Sequence, residues 1–581
     1  MQDMKYFRLI FLLTFLLVGC QDAANDATTD ADPVAPTATN TATAIPIPAT
    51  ITPIPPTPEP TPDPLYTGSN DHPWWNNVVF YEIFVRSFYD SNGDGIGDLN
   101  GVIEKLDYLN DGDPATNTDL GVTGIWLMPI MESPSYHGYD VVDYLQVDEE
   151  YGTNEDFQRL MAEAHRRGIR VIVDLVLNHT SRQHPWFQES RNLDSEYRDW
   201  YLWTDEAPSY RGPWGQQVWH RLDNSYYYGV FWDGMPDLNY DNPDVVAAMF
   251  DTARFWLEDM GADGFRLDAI KHMVEDGSVQ ENSPATHAIM ESFFTFYKGV
   301  ELNALAVGEA WTGTQQVVDY TGDEVDIAFQ FDLALDILNS SEAGLAPIFT
   351  DIQQEVVSSF PLNQYATFIT NHDQNRVMSQ LDGDEAQARV AASILLTGTG
   401  VPFIYYGEEI GQTGTKPDED IRRPMQWSSD STRVGFTTGR PWRAPSSDYT
   451  ERSVALQEAD PNSLLNHYRT LIHLRNEHEA LRVGEWLLVE ANSSRLYTFV
   501  RYTENETILV IINLNRNGVT MENYSLELAE GPLTGAVTAV SLLGNAVQGD
   551  PEVNASGGFS GYIPLAEIPP QSVHIIQLSS Q

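Results

Sequence analysis

Three carboxylates in this sequence follow short apolar runs: Asp268 after GFRL, Glu309 after LAVG, and Asp373 after ATFIT and the pair Asn371-His372. Arg266 lies two residues before Asp268, so an extended strand would turn both side chains to one face. Two carboxylates facing each other can cleave a glycosidic bond with retention, one as nucleophile, the other as acid and then base. The acid needs a raised pKa, which burial and a carboxylate neighbour supply, and the nucleophile needs a cation to stay ionised. A single Asp behind a strand is just as well explained as a cap or turn residue. Three carboxylates with Arg266, His179 and His372 are not explained that way.

Such chemistry needs a scaffold that brings strand ends to one place. From residue 78 the chain alternates amphipathic stretches with the apolar runs VVFYEIFV, TGIWLMPI, IRVIVDLVL, DGFRLD, LNALAVGE, VDIAFQFD, YATFIT and VPFIYYG. Near-continuous apolar runs predict parallel strands covered on both faces. In NEDFQRLMAEAHRRG, Phe157, Leu160, Met161 and Ala164 share one helical face and Gly168 ends the helix. NPDVVAAMFDTARFWLEDMG opens at Asn242-Pro243 and closes at Gly261. The pattern predicts an α/β fold, a (β/α)8 TIM barrel whose reactive groups gather at strand C-terminal ends. Polar residues fall there: Asn178-His179, Asp268, Glu309 and Asn371-His372-Asp373.

The barrel is assigned to residues 71–178 and 236–480, interrupted at 179–235 by an inserted subdomain too long for an ordinary loop. That insertion carries Trp203, Trp214, Trp219, Trp232 and the run Tyr226-Tyr227-Tyr228. Most such rings pack, but several near a site mouth suit the apolar faces of sugars. Residues 481–581 contain RLYTFVRY, TILVIINLN and SVHIIQLS between Asn/Gly turns, predicting a C-terminal antiparallel β-sandwich.

The stretch DSNGDGIGDLNG, Asp90 to Gly101, has the oxygen spacing of a calcium loop. An EF-hand needs a bidentate Glu at the twelfth position, where this chain has Gly101, and helices on both sides. Here a strand precedes and a helix comes after. The expectation is a structural calcium site using Asp90, Asn92, Asp94, Ile96 and Asp98, against a metal-free Asp/Asn/Gly turn.

The chain of 581 residues has 84 acidic and 32 basic side chains, a net charge of −52 that disfavours nucleic acid and anionic lipid as main partners. A neutral substrate suits it, and a monomer is expected. Lys5 and Arg8 precede LIFLLTFLLV, too short to span a bilayer, and Leu17-Val18-Gly19-Cys20 resembles a bacterial lipobox. Residues 1–19 are therefore expected to be a lipoprotein signal peptide, with lipidation at Cys20. Residues 20–70, rich in Pro, Thr and Ala, are expected to be a disordered stalk. The implied place is extracytoplasmic, lipid-anchored at the bacterial cell envelope, with membrane contact only through the lipid. The single cysteine excludes disulfides within the chain.

At the residues named above the chain resembles the α-amylase superfamily, glycoside hydrolase family 13, from about Trp74 to the C-terminus. DLVLNH (Asp174 to His179) is similar to the third-strand motif, GFRLDAIKH (Gly264 to His272) to the nucleophile motif, GEAW to the acid/base motif and TNHD to the third-carboxylate motif. The resemblance implies Asp268 as nucleophile with Arg266 as its partner, Glu309 as acid/base, and Asp373 holding sugar hydroxyls. It also implies that His179, His372 and His137 bond the sugar, that Tyr139 stacks on it, and that Lys271 and His272 bind the leaving-group side. The loop from Asp90 resembles the first-loop calcium site of many members. Asn178, Asp237 and the His272 carbonyl correspond to a second calcium site in many amylases.

Subgroup signals are mixed. MPDLN (Met235 to Asn239) resembles neopullulanase-like and intermediate members, RRPMQW (Arg422 to Trp427) resembles oligoglucosidases and trehalose synthases, and Ala269 resembles α-1,4-specific forms. The implied activity is retaining hydrolysis of α-1,4 bonds in starch and maltodextrins, with calcium as cofactor. An α-glucosidase or a transglycosylase, such as a glucanotransferase or a trehalose synthase-like isomerase, would share these residues. A non-catalytic carbohydrate-binding relative should lack a carboxylate, and this chain lacks none.

Overall fold

The computed structural model describes residues 72–429 and 431–580. The expected signal segment, Cys20 and the stalk lie outside them. Eight parallel strands form one sheet: β1 (Phe80–Ile83), β2 (Gly124–Leu127), β3 (Arg170–Leu175), β4 (Gly264–Leu267), β5 (Leu305–Gly308), β6 (Ile327–Ala328), β7 (Ala366–Thr367) and β8 (Val401–Tyr405). Their order is β6-β5-β4-β3-β2-β1-β8-β7, and a parallel bridge from Phe329 to Ala366 joins the two ends into a barrel. This is the fold class expected from the eight apolar runs.

Register stacks the barrel interior in layers. Phe80 pairs with Gly124, Ile172 with Gly264 and Gly264 with Leu305. Together with Phe329, Phe368 and Phe403 the apolar members of this layer form a plug, where Phe80 and Phe403 stack at 4.6 Å. Two residues on, the same inward face carries Glu82 beside Trp126 and Asp174 beside Arg266. A polar layer therefore rests on an apolar floor at the end of the barrel where the strands finish.

β6 and β7 are shorter than the runs VDIAFQFD and YATFIT suggested. After Ala328 the chain leaves the strand: Gln330 N donates to Ala366 O at 3.0 Å, and a helix over Phe331–Ala343 begins, burying Phe331 and Leu333. The helix Asn154–Arg166 buries Phe157, Leu160, Met161 and Ala164, and Thr153 with Asp156 forms its capping box. The helix from Pro243 ends at Arg254 and continues as a π turn over Phe255–Asp259. The wider turn puts both Trp256 and Leu257 in the core, and the Trp256 indole donates to Tyr144 O.

Between β3 and β4 a three-stranded antiparallel sheet holds Trp203–Thr204, Ser225–Tyr228 and Trp219–Leu222. Beyond the barrel, a helix over Glu479–Val483 leads to five antiparallel strands facing a three-stranded sheet, with Val500, Leu509, Leu528, Phe559 and Ile576 between them. Two buried arginines meet at this junction, Arg475 from the last long helix of the barrel and Arg501 from the C-terminal unit. Arg475 donates to the carbonyls of Leu396, Gly398 and Gly400, and Arg501 to those of Thr397, Gly398 and Gly484. Both therefore cap the C-terminus of the helix Glu385–Thr397, where carbonyls have no intrahelical partner. Arg501→Met leaves the carbonyls of Thr397 and Gly484 without a side-chain donor, so the expected loss of unfolding free energy is about 2 kcal/mol or more. Urea unfolding measures it, and Arg501→Lys should rescue little, because one ammonium cannot reproduce the planar fork.

Candidate active site

Arg266 on β4 is almost inaccessible, at 1% exposure, and its guanidinium serves three carboxylates. Nη1 donates to Asp174 at 2.9 Å and to Asp268 at 2.7 Å, while Nη2 donates to Glu309 at 2.8 Å. These groups come from the ends of β3, β4 and β5, which are neighbours in the barrel, so strand order alone makes them converge. The Ala269 N–H also donates to Glu309, at 3.1 Å. Ala269 adopts a left-handed φ of 50°, an uncommon conformation for a residue with a Cβ, in the turn after Asp268.

A second cluster adjoins the first. His372 presents Nδ1 to Glu82 at 2.5 Å and Nε2 to Asp373 at 3.3 Å, and Nε2 also lies 2.7 Å from the Tyr139 hydroxyl. Two carboxylates on opposite ring nitrogens favour the imidazolium. Although burial opposes it, the His372 pKa is raised to about 9 by Asp373 and Glu82. Burial would raise Asp373, but His372, Arg422 and Lys416 hold it well below the usual carboxylate range. Arg422 contributes directly, with Nη2 donating to Asp373 at 2.9 Å.

Tyr139 joins the two clusters. Its hydroxyl donates to Asp174 at 3.0 Å, and its ring stacks on His372 at 5.5 Å. His179 approaches Tyr139 O at 3.1 Å, and His137 stacks beside the Tyr139 ring at 6.2 Å. Burial lowers His179 to about 4 and His137 to about 3, so both are neutral hydrogen-bonding groups at neutral pH.

The electrostatics of Asp268 differ from the sequence expectation. Arg266 was to hold Asp268 ionised, yet burial outweighs Arg266 and, with Asp373 nearby, Asp268 is raised. Glu309 is raised by burial, against Arg266 and with help from Asp268 and Asp373. Asp174 rises to about 7, again by burial opposed by Arg266. The single cation Arg266 only partly offsets the burial of three carboxylates.

Lys271 and His272 stand to one side. Lys271 Nζ donates to Glu281 at 2.8 Å and to Trp311 O at 2.9 Å. Phe231 of the inserted subdomain packs between His179, at 5.2 Å, and His272, at 5.9 Å. Trp214 stacks on Phe231 and remains 47% exposed, whereas Trp203 packs against Phe187 inside the subdomain. Sequence reasoning missed Glu82, Trp126 and Arg422 as site residues and gave Asp174 no role. Trp126 donates its indole N–H to Asp174 at 3.3 Å and lies under Arg266, whose guanidinium is 5.2 Å from its ring. A Glu inside the apolar run VVFYEIFV was the available signal for Glu82.

The two expected metal sites differ in how their oxygens are engaged. In the first loop, Asp90 accepts from the N–H groups of Asn92, Gly93 and Gly95 and from the Thr437 hydroxyl. Asp98 accepts from Ser91 N, Ser91 Oγ and Gly101 N, and Asp94 accepts from Ile96 N at 2.8 Å. Among the described residues, no Lys or Arg forms an ion pair with Asp90, Asp94 or Asp98, so the loop keeps its negative charge. At the second site, an antiparallel bridge between His179 and Asp237 brings Asn178 to Asp237. Asn178 Oδ1, Asp237 Oδ2 and Glu275 Oε1 are all buried without a hydrogen-bond partner. Burial raises Asp237 to about 7, and burial with Asp237 raises Glu275 well above its ordinary value. Orphaned, all-oxygen and anionic, this set fits a hard cation. Glu275 was not anticipated. Among the described residues, no three His, Cys, Asp or Glu side chains converge as a metal cage, so either site would need amide or main-chain oxygens.

A family model for the catalytic domain of alpha amylase matches residues 82–484. The chain is 40% identical over 472 residues to Alpha-amylase 3 of Dictyoglomus thermophilum, covering 80% of this chain and 90% of that protein. It is 34% identical over 552 residues to the oligo-1,6-glucosidase of Heyndrickxia coagulans, covering 80% of this chain and 97% of the relative. The crystal structure of the alpha-amylase from H. orenii superposes with a TM-score of 0.74 at 40% identity, covering 86% of this chain and 99% of that one.

The raised His372 pKa fixes the sign of a stability test. Its contribution is fully present below the unfolded value, about 6.5, and is lost as pH rises through about 9. His372→Asn should therefore destabilise the fold markedly near pH 6, with the difference from wild type shrinking as the pH passes 9. Melting temperatures of both proteins across that range measure it.

Proposed function

We propose that this chain, which belongs to the α-amylase family of glycoside hydrolases and transglycosylases, hydrolyses α-1,4-glucosidic bonds in starch and maltodextrins with retention of configuration. The observation that carries the reading is the pairing of Asp268 and Glu309 to the two Nη atoms of one guanidinium. A shared guanidinium draws the two carboxyls to one place at the barrel mouth, which supports a nucleophile and an acid/base acting on the same bond. Glu309 protonates the glycosidic oxygen while Asp268 attacks the anomeric carbon, forming a glycosyl ester. Glu309 then takes a proton from water, which displaces Asp268 and leaves the product in the α configuration. Asp373, kept ionised by His372 and Arg422, accepts hydrogen bonds from sugar hydroxyls, with Tyr139 stacked on the ring and His137, His179 and His372 beside it. Lys271 and His272, near the exposed Trp214 and Trp311, serve the leaving-group side.

A glucosidase or transfer activity remains the second reading, supported by Arg422 in its oligoglucosidase-like motif and by the relative from Heyndrickxia coagulans. A binding-only role has no support, since all three carboxylates are in place. Calcium is proposed at Asp90, Asn92, Asp94, Ile96 and Asp98, and at Asn178, Asp237, the His272 carbonyl and Glu275. A bound cation would neutralise the orphaned oxygens and fix the inserted subdomain to the barrel. The proposed setting is extracytoplasmic, at the bacterial cell envelope, tethered through Cys20, with a neutral α-glucan as partner and a monomeric chain.

Two experiments test this. A product time course on soluble starch should yield mixed maltooligosaccharides before glucose, and Asp268→Asn should lower turnover by about a thousandfold or more with the fold preserved. Glucose alone, or new linkages without net hydrolysis, would favour the second reading. Chelation should lower the melting temperature, by the equivalent of about 2.7 kcal/mol when calcium had stood at a hundred times its Kd. Glu275→Gln should reduce that calcium-dependent shift, and an unchanged shift would remove Glu275 from the ligand set.

A further inference from the structure

Arg422 reaches Asp373 from a segment beyond β8, and its side chain is only 3% exposed. One edge of the guanidinium is bonded: Nε donates to His372 O at 3.0 Å and Nη2 to Asp373 at 2.9 Å, with Asp418 farther off at 3.5 Å. Across the guanidinium lies the Tyr136 ring, whose centroid is 6.0 Å from the Arg422 central carbon. Tyr136 in turn stacks on Trp442, with centroids 5.6 Å apart and planes 26° from parallel.

Trp442 is itself tightly held. Its backbone N–H donates to Gly95 O at 2.8 Å and its indole N–H to Ser87 Oγ at 3.0 Å. Phe84 packs edge-on at 6.1 Å, and the Arg86 guanidinium lies 5.4 Å from the ring. Gly95 belongs to the loop that includes Asp90 and Asp98, and its φ of 101° with Arg440 O close by leaves no room for a Cβ. A continuous stack therefore runs from the main chain of that loop, through Trp442 and Tyr136, to the cation on Asp373.

We infer that Tyr136 and Trp442 are positioning residues that hold the Arg422 guanidinium against Asp373, so that the aspartate-rich loop supports sugar binding through them. The inference rests on the proposed role of Asp373 in holding sugar hydroxyls. An arginine side chain is long and flexible, and rings placed over its face restrict it while keeping the cation favourably placed. Without them Arg422 has other conformers available, and Asp373 loses a charge-assisted partner in part of the population. The account rests on the ring of Tyr136, which lies between Arg422 and Trp442.

Steady-state kinetics of the full chain on maltopentaose test this, with melting temperatures recorded for every variant. Tyr136→Leu and Trp442→Leu should each raise KM roughly tenfold while kcat changes less. Tyr136→Phe should restore wild-type KM, and the double leucine variant should be no worse than the weaker single one. A folded Tyr136→Leu variant with wild-type KM, or Tyr136→Phe as impaired as Tyr136→Leu, would overturn the inference. Trp442 also packs on Phe84, so if Trp442→Leu does not fold the Tyr136 variants decide alone. Should the wild-type chain act on no α-glucan, the functional reading falls instead. The stack is then judged by a crystal structure of Tyr136→Leu: displacement of Arg422 from Asp373 supports it, and an unmoved Arg422 overturns it.

Discussion

The structure of the site depends on one buried cation. Arg266 has nearly no solvent contact and faces Asp174, Asp268 and Glu309 with a single positive charge. Taking such groups out of water is expensive unless they are paired, and removing Arg266 would leave three carboxylates unbalanced in the barrel mouth. The imbalance that remains even with Arg266 in place also has a use. Burial pushes all three carboxyls upward against the single positive charge of Arg266, which favours holding a proton within the cluster. General acid chemistry requires a carboxyl that keeps its proton beside another that can give its own up. Asp373 stands outside this shortage because His372 and Arg422 supply it with cations of its own. The mouth of the barrel thus sets carboxyls whose proton affinity is raised by burial next to one carboxylate held in its ionised form.

Much of this was legible in the sequence because parallel, doubly covered strands read as plain apolar runs, and because the residues just after each run must lie at one rim. Arg266, Asp268 and Glu309 were visible on that argument alone. Glu82 and Trp126 were not, since both lie within strands and only the register of the neighbouring strands reveals that they face inward. Arg422 is distant from β7 in the chain, and no local pattern connects it to Asp373. Glu275 sits in MVEDG, which reads as a solvated loop until its buried oxygen is seen beside Asp237. Strand ends were also misjudged at β6, where Phe329 and Phe331 are apolar enough to extend a strand but serve the barrel closure and the next helix instead.

The two candidate calcium sites show why a sequence motif and an unmet hydrogen-bonding need are different kinds of support. The loop from Asp90 carries the more recognisable pattern, yet its side chains are engaged by the N–H groups of the loop itself, as a metal-free Asx-rich turn would be. Uncompensated charge is the feature that favours a cation there. Asn178, Asp237 and Glu275 have a weaker pattern, spread along the chain, but each presents one buried oxygen without a donor. In a buried setting an acceptor without a donor is the costlier condition.

The apolar floor explains why these polar groups interact so strongly. Phe80, Phe329, Phe368 and Phe403 fill the barrel beneath the polar layer, and Trp126 spans the two layers by presenting its face to Arg266 and its N–H to Asp174. A filled, dry floor excludes the water that would otherwise screen Arg266 from its partners, so each charge there is felt more strongly. The same dryness raises Asp174, Asp268 and Glu309. Packing at the base of the barrel and proton affinity at its mouth are therefore one property. A cavity opened in the plug would be expected to admit water, weaken the Arg266 pairings and let the carboxyls fall back toward their ordinary values, although no polar residue had been touched.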